Sequence, residues 1–524
     1  MYRLIIAILI FSLMISGVFL PETVYGETIL PNRLMSVGSQ GLDVKAVQEA
    51  LIQLGYSIKA DGIYGLGTKQ AILNFQSNYN ELSDDGVYGP STRTYLMMAL
   101  DNSPDPQPGP VPVPSEENVN DNLTEDLALT YNATLNGLTS TIPQYFVEEN
   151  RSKLLAMNPT ITVKKNWNTT LPADLTEELQ YDKYSLAYDY LLVLSNNLNV
   201  RQAPTTQSKI VHKIQYFDKV NVIQEVKGEY LLSYATDSWY RIFWHENGLI
   251  KYGFVFSKMG EPRSFRFSNM FDQVKVLQTT IKENKVGYIS NYKNINGYPL
   301  AYKGSNMDAY GNDRSQSAPG YIDVNKSDFR YFFDGMIVSI LEENDVYYKV
   351  STSTFEGEYF IPKKYISFKN APTQLKKVVV IDELNQNEGV FEWSVDHWKL
   401  ISYTYATTGV ESKYSFVTPK GHFMAIEKKS YFLYLEDGTT RISGFAPFAV
   451  RFSAGGYIHG VPIDFKLGQN QYNTSPTNPL NHKEFLFTVG TTPRSHKCVR
   501  NFTSHAKFLY EWAEIGSTAV IVID

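Results

Sequence analysis

Residues 495–500 read Ser-His-Lys-Cys-Val-Arg, and this stretch holds the single cysteine of the 524-residue chain. Cys498 lies two positions after His496 and two positions before Arg500. Between residues 485 and 510 the chain has four basic side chains and no acidic one. A positive environment favours the thiolate, which is the reactive form of cysteine. The stretch therefore predicts a nucleophilic thiolate at Cys498 rather than a small buried apolar residue.

Two other stretches upstream have the composition of an active site. Residues 418–423 read Thr-Pro-Lys-Gly-His-Phe, and residues 452–460 read Phe-Ser-Ala-Gly-Gly-Tyr-Ile-His-Gly. A cysteine nucleophile needs a base, and a histidine that follows a glycine-rich strand can supply one. By residue type, His459, His496 and Cys498 could also hold zinc, although their spacing differs from that of known zinc fingers.

In this order the three stretches resemble the L,D-transpeptidase catalytic domain (YkuD type). That family reads Thr-Pro-x-Gly-x-Phe, then Ile-His-Gly, then Ser-His-Gly-Cys followed by a hydrophobic residue and Arg, then a helix and a last strand. The resemblance places the catalytic domain at residues 375–524. It implies a mainly β, sandwich-like fold.

The resemblance also implies the role of each site residue. Cys498 is the nucleophile, and His459 is the base, oriented by the backbone carbonyl of Gly460. Backbone N–H groups around His496, Lys497 and Cys498 form the oxyanion hole. The substrate-binding residues are expected to be Arg500, Tyr457 and Gly456. We expect two further histidines, His422 and His505, to be surface or packing residues.

The implied reaction is acyl transfer on peptidoglycan stem peptides. Cys498 attacks the carbonyl that precedes a terminal D-alanine, and an amine of a neighbouring stem peptide then resolves the thioester. No metal or organic cofactor is implied, and a carbapenem is expected to act as a covalent inhibitor. Two alternatives stay open: an L,D-carboxypeptidase that uses water as acceptor, and a wall-binding protein whose catalytic domain is degenerate and inactive.

The chain departs from the family pattern at two places. Lys497 stands where the family has glycine, and the stretch 461–492 is longer than is usual there. We expect the Lys497 backbone to have an ordinary negative φ, with the side chain pointing outward. The long stretch, rich in Asn, Gln, Thr and Pro, is interpreted as an insertion that could act as a lid.

The N-terminal part of the chain indicates export and attachment. An uncharged apolar run follows Arg3, and residues 1–26 are interpreted as a signal peptide, with a retained membrane anchor as the alternative. The motif Asp-Gly-Ile-Tyr-Gly at 61–65 is repeated as Asp-Gly-Val-Tyr-Gly at 85–89. A helix start is expected after each copy, at Thr68 and Thr92. Residues 36–100 resemble the three-helix bacterial peptidoglycan-binding domain.

Between these ends the sequence predicts a spacer and β-rich modules. Alternating prolines make 101–122 an extended linker. Residues 123–195 are interpreted as a helical or mixed segment, with a helix-like apolar end at 187–194. Residues 196–265 alternate like short strands and resemble a bacterial Src-homology-3-like barrel. Residues 285–370 are interpreted as a possible second barrel. Such barrels could contact the wall or only space the domains.

Composition limits the class of protein further. The hydrophobic fraction is 43% and the charged fraction 19%, which is typical of globular domains. The formal charge of −6 does not favour binding to nucleic acid. Peptidoglycan is the partner that the resemblances imply. A single cysteine excludes an intramolecular disulfide.

Overall fold

The structure is a computed structural model. Its chain forms two compact units, Met1–Asn120 and Asp121–Asp524, which are described separately. The predicted signal peptide, nearly all of the predicted linker, and most of the predicted insertion lie outside the described residues. The described residues are 30–31, 35–37, 39–79, 82, 86–101, 127–130, 142–156, 160–181, 183–184, 186–246, 249–325, 328–412, 415–435, 438–464 and 488–524.

The described residues of the first unit form three short helices around a small apolar core. They are α1 (Leu42–Gln53), α2 (Leu66–Gln76) and α3 (Pro90–Asp101). The repeated motif forms a turn in each copy, because Gly62 and Gly86 have φ of +73° and +65°, which glycine adopts without strain. The helices that follow begin two residues earlier than the threonines that the sequence analysis marks as their starts.

Buried glutamines brace both turns in the same way. The side chain of Gln48 accepts a hydrogen bond from Gly62 N–H at 2.8 Å and donates to Thr68 Oγ1 at 2.9 Å. Gln76 repeats this pattern with Gly86 and Thr92, at 2.9 and 3.0 Å. The sequence repeat is therefore a structural repeat of glutamine, turn and helix.

The second unit is strand-rich, with three helices: α4 (Gln144–Ala156), α5 (Phe267–Glu283) and α6 (Thr503–Trp512). Its strands are β1 (Leu127–Thr130), β2 (Val163–Asn166), β3 (Leu175–Glu177), β4 (Asp189–Val193), β5 (Leu198–Arg201), β6 (Ile210–Ile214), β7 (Lys219–Leu231), β8 (Thr236–Glu246), β9 (Leu249–Phe256), β10 (Gly260–Ser264), β11 (Val286–Ile289), β12 (Ser317–Tyr321), β13 (Phe329–Phe333), β14 (Ile337–Glu343), β15 (Tyr347–Thr352), β16 (Phe355–Pro362), β17 (Ile366–Ser367), β18 (Lys377–Asp382), β19 (Asn387–Ser394), β20 (His397–Tyr405), β21 (Gly421–Met424), β22 (Glu427–Leu435), β23 (Ile442–Ser453), β24 (Gly456–His459), β25 (Ile463–Asp464), β26 (Val499–Arg500) and β27 (Thr518–Ile523).

These strands form four sheets among the described residues. The first sheet has the order β10-β4-β7-β8-β9-β5-β6, with β1 on β9 and β2 on β7. The second sheet has the order β13-β12-β16-β15-β14-β11-β17. The third sheet runs β21-β27-β18-β19-β20-β3, and the fourth runs β22-β23-β24-β26 with β25 on β23. A helical first unit followed by β-rich modules agrees with the predicted fold class.

The segment 123–195 differs from the sequence prediction at its apolar end. It contains one described helix, and its strands join two sheets. The apolar run that was expected to end a helix is instead β4, whose five residues are all buried between β7 and β10. A short apolar run that is buried on both faces has no period that distinguishes a strand from a helix, which explains the wrong prediction.

The third and fourth sheets bring the C-terminal motifs together. In the third sheet β18 pairs in parallel with β27, and α5 packs its apolar face, including Phe267 and Met270, into the core beside them. In the fourth sheet β24 pairs in parallel with β26, so that His459 lies opposite Arg500. This register links the glycine-rich stretch to the cysteine stretch.

Candidate active site

The base that the sequence predicts, His459, is buried and held by one of its two ring nitrogens. Its Nδ1 lies 2.6 Å from the carbonyl oxygen of Gly460. A carbonyl only accepts hydrogen bonds, so Nδ1 carries the proton and Nε2 keeps its lone pair. Burial lowers the pKa of His459 to about 3, and nearby Arg500 acts in the same direction. The imidazole is therefore neutral at pH 7, with Nε2 able to accept a proton.

The thiol of Cys498 is also buried, and it is not the thiolate that the basic stretch predicts. The side chain is 7% exposed and packs with Ala449 and Tyr457. Its Sγ donates to the carbonyl oxygen of Gly455 over 3.5 Å. Burial raises the pKa of Cys498 to about 11, although Arg500 and Lys497 lower it. Here desolvation outweighs the positive charges, so the prediction of a preformed thiolate is wrong.

The backbone at Lys497 also differs from the expectation of a negative φ. Its φ is +73°, in the left-handed region where a residue with a Cβ is strained. The conformation explains why glycine suits this position. The Lys497 side chain is half-buried and does not point straight outward, because its Nζ lies 4.9 Å from the centre of the Phe416 ring. Burial lowers the pKa of Lys497.

Several hydrogen bonds fix the cysteine loop in this shape. Thr418 Oγ1 donates to the carbonyl oxygen of Lys497 at 3.1 Å and accepts from Gly409 N–H at 2.8 Å. The hydroxyl of Ser495 donates to the carbonyl oxygen of Cys498. A Cβ at Gly409 would lie 2.7 Å from the Lys497 nitrogen, so glycine is needed for this close approach. The threonine of the Thr-Pro motif thus braces the cysteine loop.

The other predicted site residues lie around this pair in different environments. His496 is exposed, whereas Arg500 is half-buried and burial lowers the pKa of its guanidinium. Tyr457 is buried, with its ring stacked 4.6 Å from that of Phe432. Gly456 lies against the lysine of the loop, since a Cβ on it would be 3.5 Å from the Lys497 Cγ.

Three contributors were not predicted from the sequence. Phe432 meets the His459 ring edge-on, with 5.2 Å between the ring centres. Asp334 lies in the turn between β13 and β14 of the second sheet, and Tyr292 lies just after β11 of the same sheet. Both contact the fourth sheet near the thiol. Their distance along the chain from the cysteine stretch left no local signal.

The two remaining histidines of the sequence analysis lie inside the protein. His422 contacts Ser353 Oγ at 2.6 Å and Gln273 Oε1 at 3.1 Å, and burial lowers its pKa to about 4. His505 is fully buried, with its Nε2 2.8 Å from Ser402 Oγ. Both are packing residues rather than surface residues.

Three family models match the chain in a fixed order. Residues 40–96 match the putative peptidoglycan binding domain, residues 196–260 the bacterial SH3 domain, and residues 376–522 the L,D-transpeptidase catalytic domain. Cys498 and His459 both lie inside the last match. Together the matches support a peptidoglycan-modifying enzyme.

Curated relatives match only one part of the chain. A spore cortex-lytic enzyme of Bacillus subtilis is 33% identical over 91 residues, which is 17% of this chain and 29% of the relative. The Bacillus cereus enzyme of the same name is 35% identical over 89 residues, 17% of this chain and 32% of the relative. The chain thus spans about three tenths of the length of these relatives.

The solved structures that are similar to this chain include L,D-transpeptidases. One from Mycobacterium smegmatis is 17% identical, with 36% of this chain and 90% of that chain covered and a TM-score of 0.21. An L,D-transpeptidase in complex with imipenem is 15% identical, with the same coverages and a TM-score of 0.22. None of the described helices combines the length and apolar character needed to cross a lipid bilayer.

Proposed function

We propose that this chain is an exported cell-wall enzyme, a cysteine-dependent L,D-transpeptidase that transfers peptidoglycan stem-peptide acyl groups from a Cys498 thioester to an amine. The observation that carries the proposal is the pairing of β24, which ends at His459, with β26, which directly follows the only thiol, together with the commitment of His459 Nδ1 to a carbonyl. That commitment leaves His459 Nε2 as the proton acceptor of the site. The match of residues 376–522 to the transpeptidase domain supports it.

The first step begins from a neutral pair rather than from an ion pair. Because the thiol pKa is about 11 and the imidazole pKa about 3, the proton leaves Sγ only as Sγ attacks the substrate carbonyl. His459 Nε2 takes this proton and passes it to the departing amine of D-alanine. The carbon–nitrogen bond breaks, and a thioester to Cys498 remains.

The cysteine loop supports stabilisation of the tetrahedral intermediate. Among the described residues, the backbone N–H groups of Lys497 and Cys498 donate no hydrogen bond within the protein. The bonds from Thr418 and Ser495 to the loop carbonyls hold the peptide planes that carry these donors. Preorganised donors of this kind stabilise an oxyanion without reorganising during the reaction.

In the second step an amine of another stem peptide attacks the thioester, with neutral His459 again accepting the proton. Water in the same position would make the protein an L,D-carboxypeptidase. Arg500, Tyr457 and Gly456 are proposed to contact the stem peptide, and no metal or organic cofactor takes part. The second candidate function is a wall-binding protein with an inactive domain, which the high thiol pKa and the strained Lys497 backbone favour.

The deciding experiment is mass spectrometry of the full chain after exposure to a carbapenem and, separately, to a stem tetrapeptide. The proposed enzyme gains the mass of one carbapenem, and it releases D-alanine from the tetrapeptide. Addition of an amine acceptor distinguishes cross-linking from hydrolysis. A protein that keeps its mass with the carbapenem and releases no D-alanine from the tetrapeptide would be the inactive wall-binding protein.

The N-terminal module is proposed to hold the enzyme on its substrate. Residues 40–96 match the peptidoglycan-binding family. We expect that removal of residues 36–100 lowers retention on insoluble peptidoglycan while turnover of a soluble stem peptide stays within about twofold. Sedimentation with purified walls measures retention, and equal retention of the shortened protein would reject this role.

A further inference from the structure

The second sheet lies outside the three family matches, yet it carries a carboxylate that reaches the fourth sheet. Asp334 stands in the turn between β13 and β14 and is 2% exposed. One oxygen, Oδ2, accepts hydrogen bonds from Arg451 Nη1 at 2.7 Å and from Ala454 N–H at 3.0 Å. The other, Oδ1, accepts from Asn291 N–H at 2.8 Å. Both oxygens are therefore fully engaged.

The contact with Ala454 fixes an unusual turn. Ala454 and Gly455 form the two-residue connection between β23 and β24, in which Ser453 pairs with Gly456. Ala454 has φ of +34°, a conformation that such hairpins usually assign to glycine or asparagine. A strained residue of this kind persists only where its surroundings hold it, and Asp334 is the group that accepts its N–H.

The same turn provides the hydrogen-bond partner of the nucleophile. The carbonyl oxygen of Gly455 accepts from the Cys498 thiol, and the strand that leaves the turn ends at His459. A shift of this turn would therefore change the position of both the thiol and the imidazole. Misplacement by about 1 Å is enough to slow an enzymatic step by two orders of magnitude.

Other contacts show that the second sheet is closely fitted here. The Tyr292 ring stacks under the Arg451 guanidinium at 4.0 Å, and its hydroxyl lies 3.4 Å from that of Tyr457. A Cβ at Gly335 would lie 1.9 Å from the carbonyl oxygen of Phe452, so only glycine fits at this point. The sheet and the turn behave as one packed body.

We propose that the second sheet is a structural part of the acyl-transfer site and that Asp334 is a positioning residue for Cys498, acting through the turn at Ala454 and Gly455. This role is distinct from the wall contact or spacing that the sequence suggests for residues 285–370. It rests on the proposed function, in which Cys498 is acylated.

The test compares two reactions of the only thiol in the full-length Asp334→Ala protein. Carbapenem acylation requires the aligned site, and it falls at least about tenfold per folded molecule. Alkylation by iodoacetamide requires only access, and it rises at least about threefold because the thiol loses its fixed partner and part of its burial. A variant that had only lost stability would show neither change at a temperature well below its melting point.

A matched control removes a comparable ion pair elsewhere. Asp382 is fully buried and takes a bidentate contact from Arg266, at 2.7 and 2.8 Å, far in sequence from the turn. Asp382→Ala leaves both reaction rates per folded molecule within about twofold. Asp334→Asn, which keeps one acceptor oxygen for Ala454, shows an intermediate loss.

Rescue distinguishes positioning from general stabilisation. Glycine adopts positive φ without strain, so the double variant Asp334→Ala with Ala454→Gly recovers at least about fivefold of the lost acylation rate. If Asp334→Ala does not fold, Ala454→Val replaces it, because a β-branched residue opposes the same turn, and it gives the same pair of opposite changes. Folded Asp334→Ala with unchanged acylation, or a loss that glycine does not rescue, overturns the proposal. If the wild-type protein is never acylated, the proposed function fails, and the alkylation rates alone still test the positioning.

Discussion

Two buried histidines of the C-terminal region, His505 and His459, differ in how many of their ring nitrogens have polar partners. His505 has both nitrogens engaged, because Nε2 faces Ser402 Oγ at 2.8 Å and Nδ1 faces Asn501 Oδ1 and Glu388 Oε1, each at 3.3 Å. His459 has only Nδ1 engaged among the described residues, at Gly460. Among the described residues, His459 therefore keeps Nε2 without a hydrogen-bond partner, whereas both ring nitrogens of His505 face polar partners.

The first test, with the largest expected effect, removes the thiol beside the strand of His459 and the hydroxyl that faces His505. Cys498→Ala abolishes carbapenem adduct formation, because Cys498 is the single cysteine of the chain and the proposed nucleophile. Ser402→Ala, in the buried cluster, keeps the adduct at the wild-type stoichiometry. Intact-mass spectrometry reads both variants, and an adduct on Cys498→Ala would transfer the chemistry to another residue.

The second test asks whether the thiol is neutral, as the comparison requires. The thiol pKa is about 11, so at lower pH the thiolate fraction increases about tenfold for each unit by which the pH rises. Alkylation by iodoacetamide therefore becomes about a thousandfold faster from pH 6 to pH 9. The measurement is the alkylation rate of the full chain across this range. A rate that is already level below pH 8 would instead indicate a preformed thiolate.

The third test replaces each of the two histidines by glutamine. His459→Gln removes the proton acceptor and lowers the acylation rate about a hundredfold or more. His505→Gln leaves acylation per folded molecule within about threefold, but it destabilises the fold by about 1–3 kcal/mol because buried partners lose their hydrogen bonds. Single-turnover acylation and thermal denaturation separate the two effects, and equal losses of rate would remove the distinction between the clusters.

The smallest expected effect concerns the lysine beside the nucleophile. Lys497→Gly relieves the left-handed strain and raises the free energy of unfolding by about 1 kcal/mol, while acylation stays within about tenfold. Lys497→Ala removes the same charge but keeps the Cβ, so the difference between the two variants isolates the backbone contribution. Both raise the thiol pKa further, since Lys497 lowers it. A gain in rate for glycine well beyond tenfold, without a pKa change, would favour the inactive-domain alternative.

Local sequence signals predicted the parts of the molecule that are held by local contacts. The repeated Asp-Gly-x-Tyr-Gly motif gave both turns of the helical module, and the ordered C-terminal motifs gave a mainly β domain that the family match supports. The excess of basic residues around Cys498 wrongly predicted a thiolate, because charge can be counted along a sequence whereas desolvation depends on packing.

Contacts between segments that are distant in the chain could not be predicted from local sequence patterns. The strand character of 189–193 follows from neighbours on both sides in the first sheet, and β3 joins the third sheet beside β20 although more than two hundred residues separate them. The positive φ at Lys497 is likewise supported from another stretch, because Thr418 donates to the Lys497 carbonyl oxygen and Gly409 lies close to the Lys497 nitrogen. Each error arose where a long-range neighbour overrode a local preference.

The position of β27 has a consequence for how the protein matures. Residues 518–523 form an interior strand of the third sheet, with β18 on one side and β21 on the other. Until that strand has been synthesised and has inserted, β21 lacks its partner and the apolar core is open on one side. The third sheet therefore closes only after residues 518–523 have been synthesised, which is later than the synthesis of the Cys498 loop.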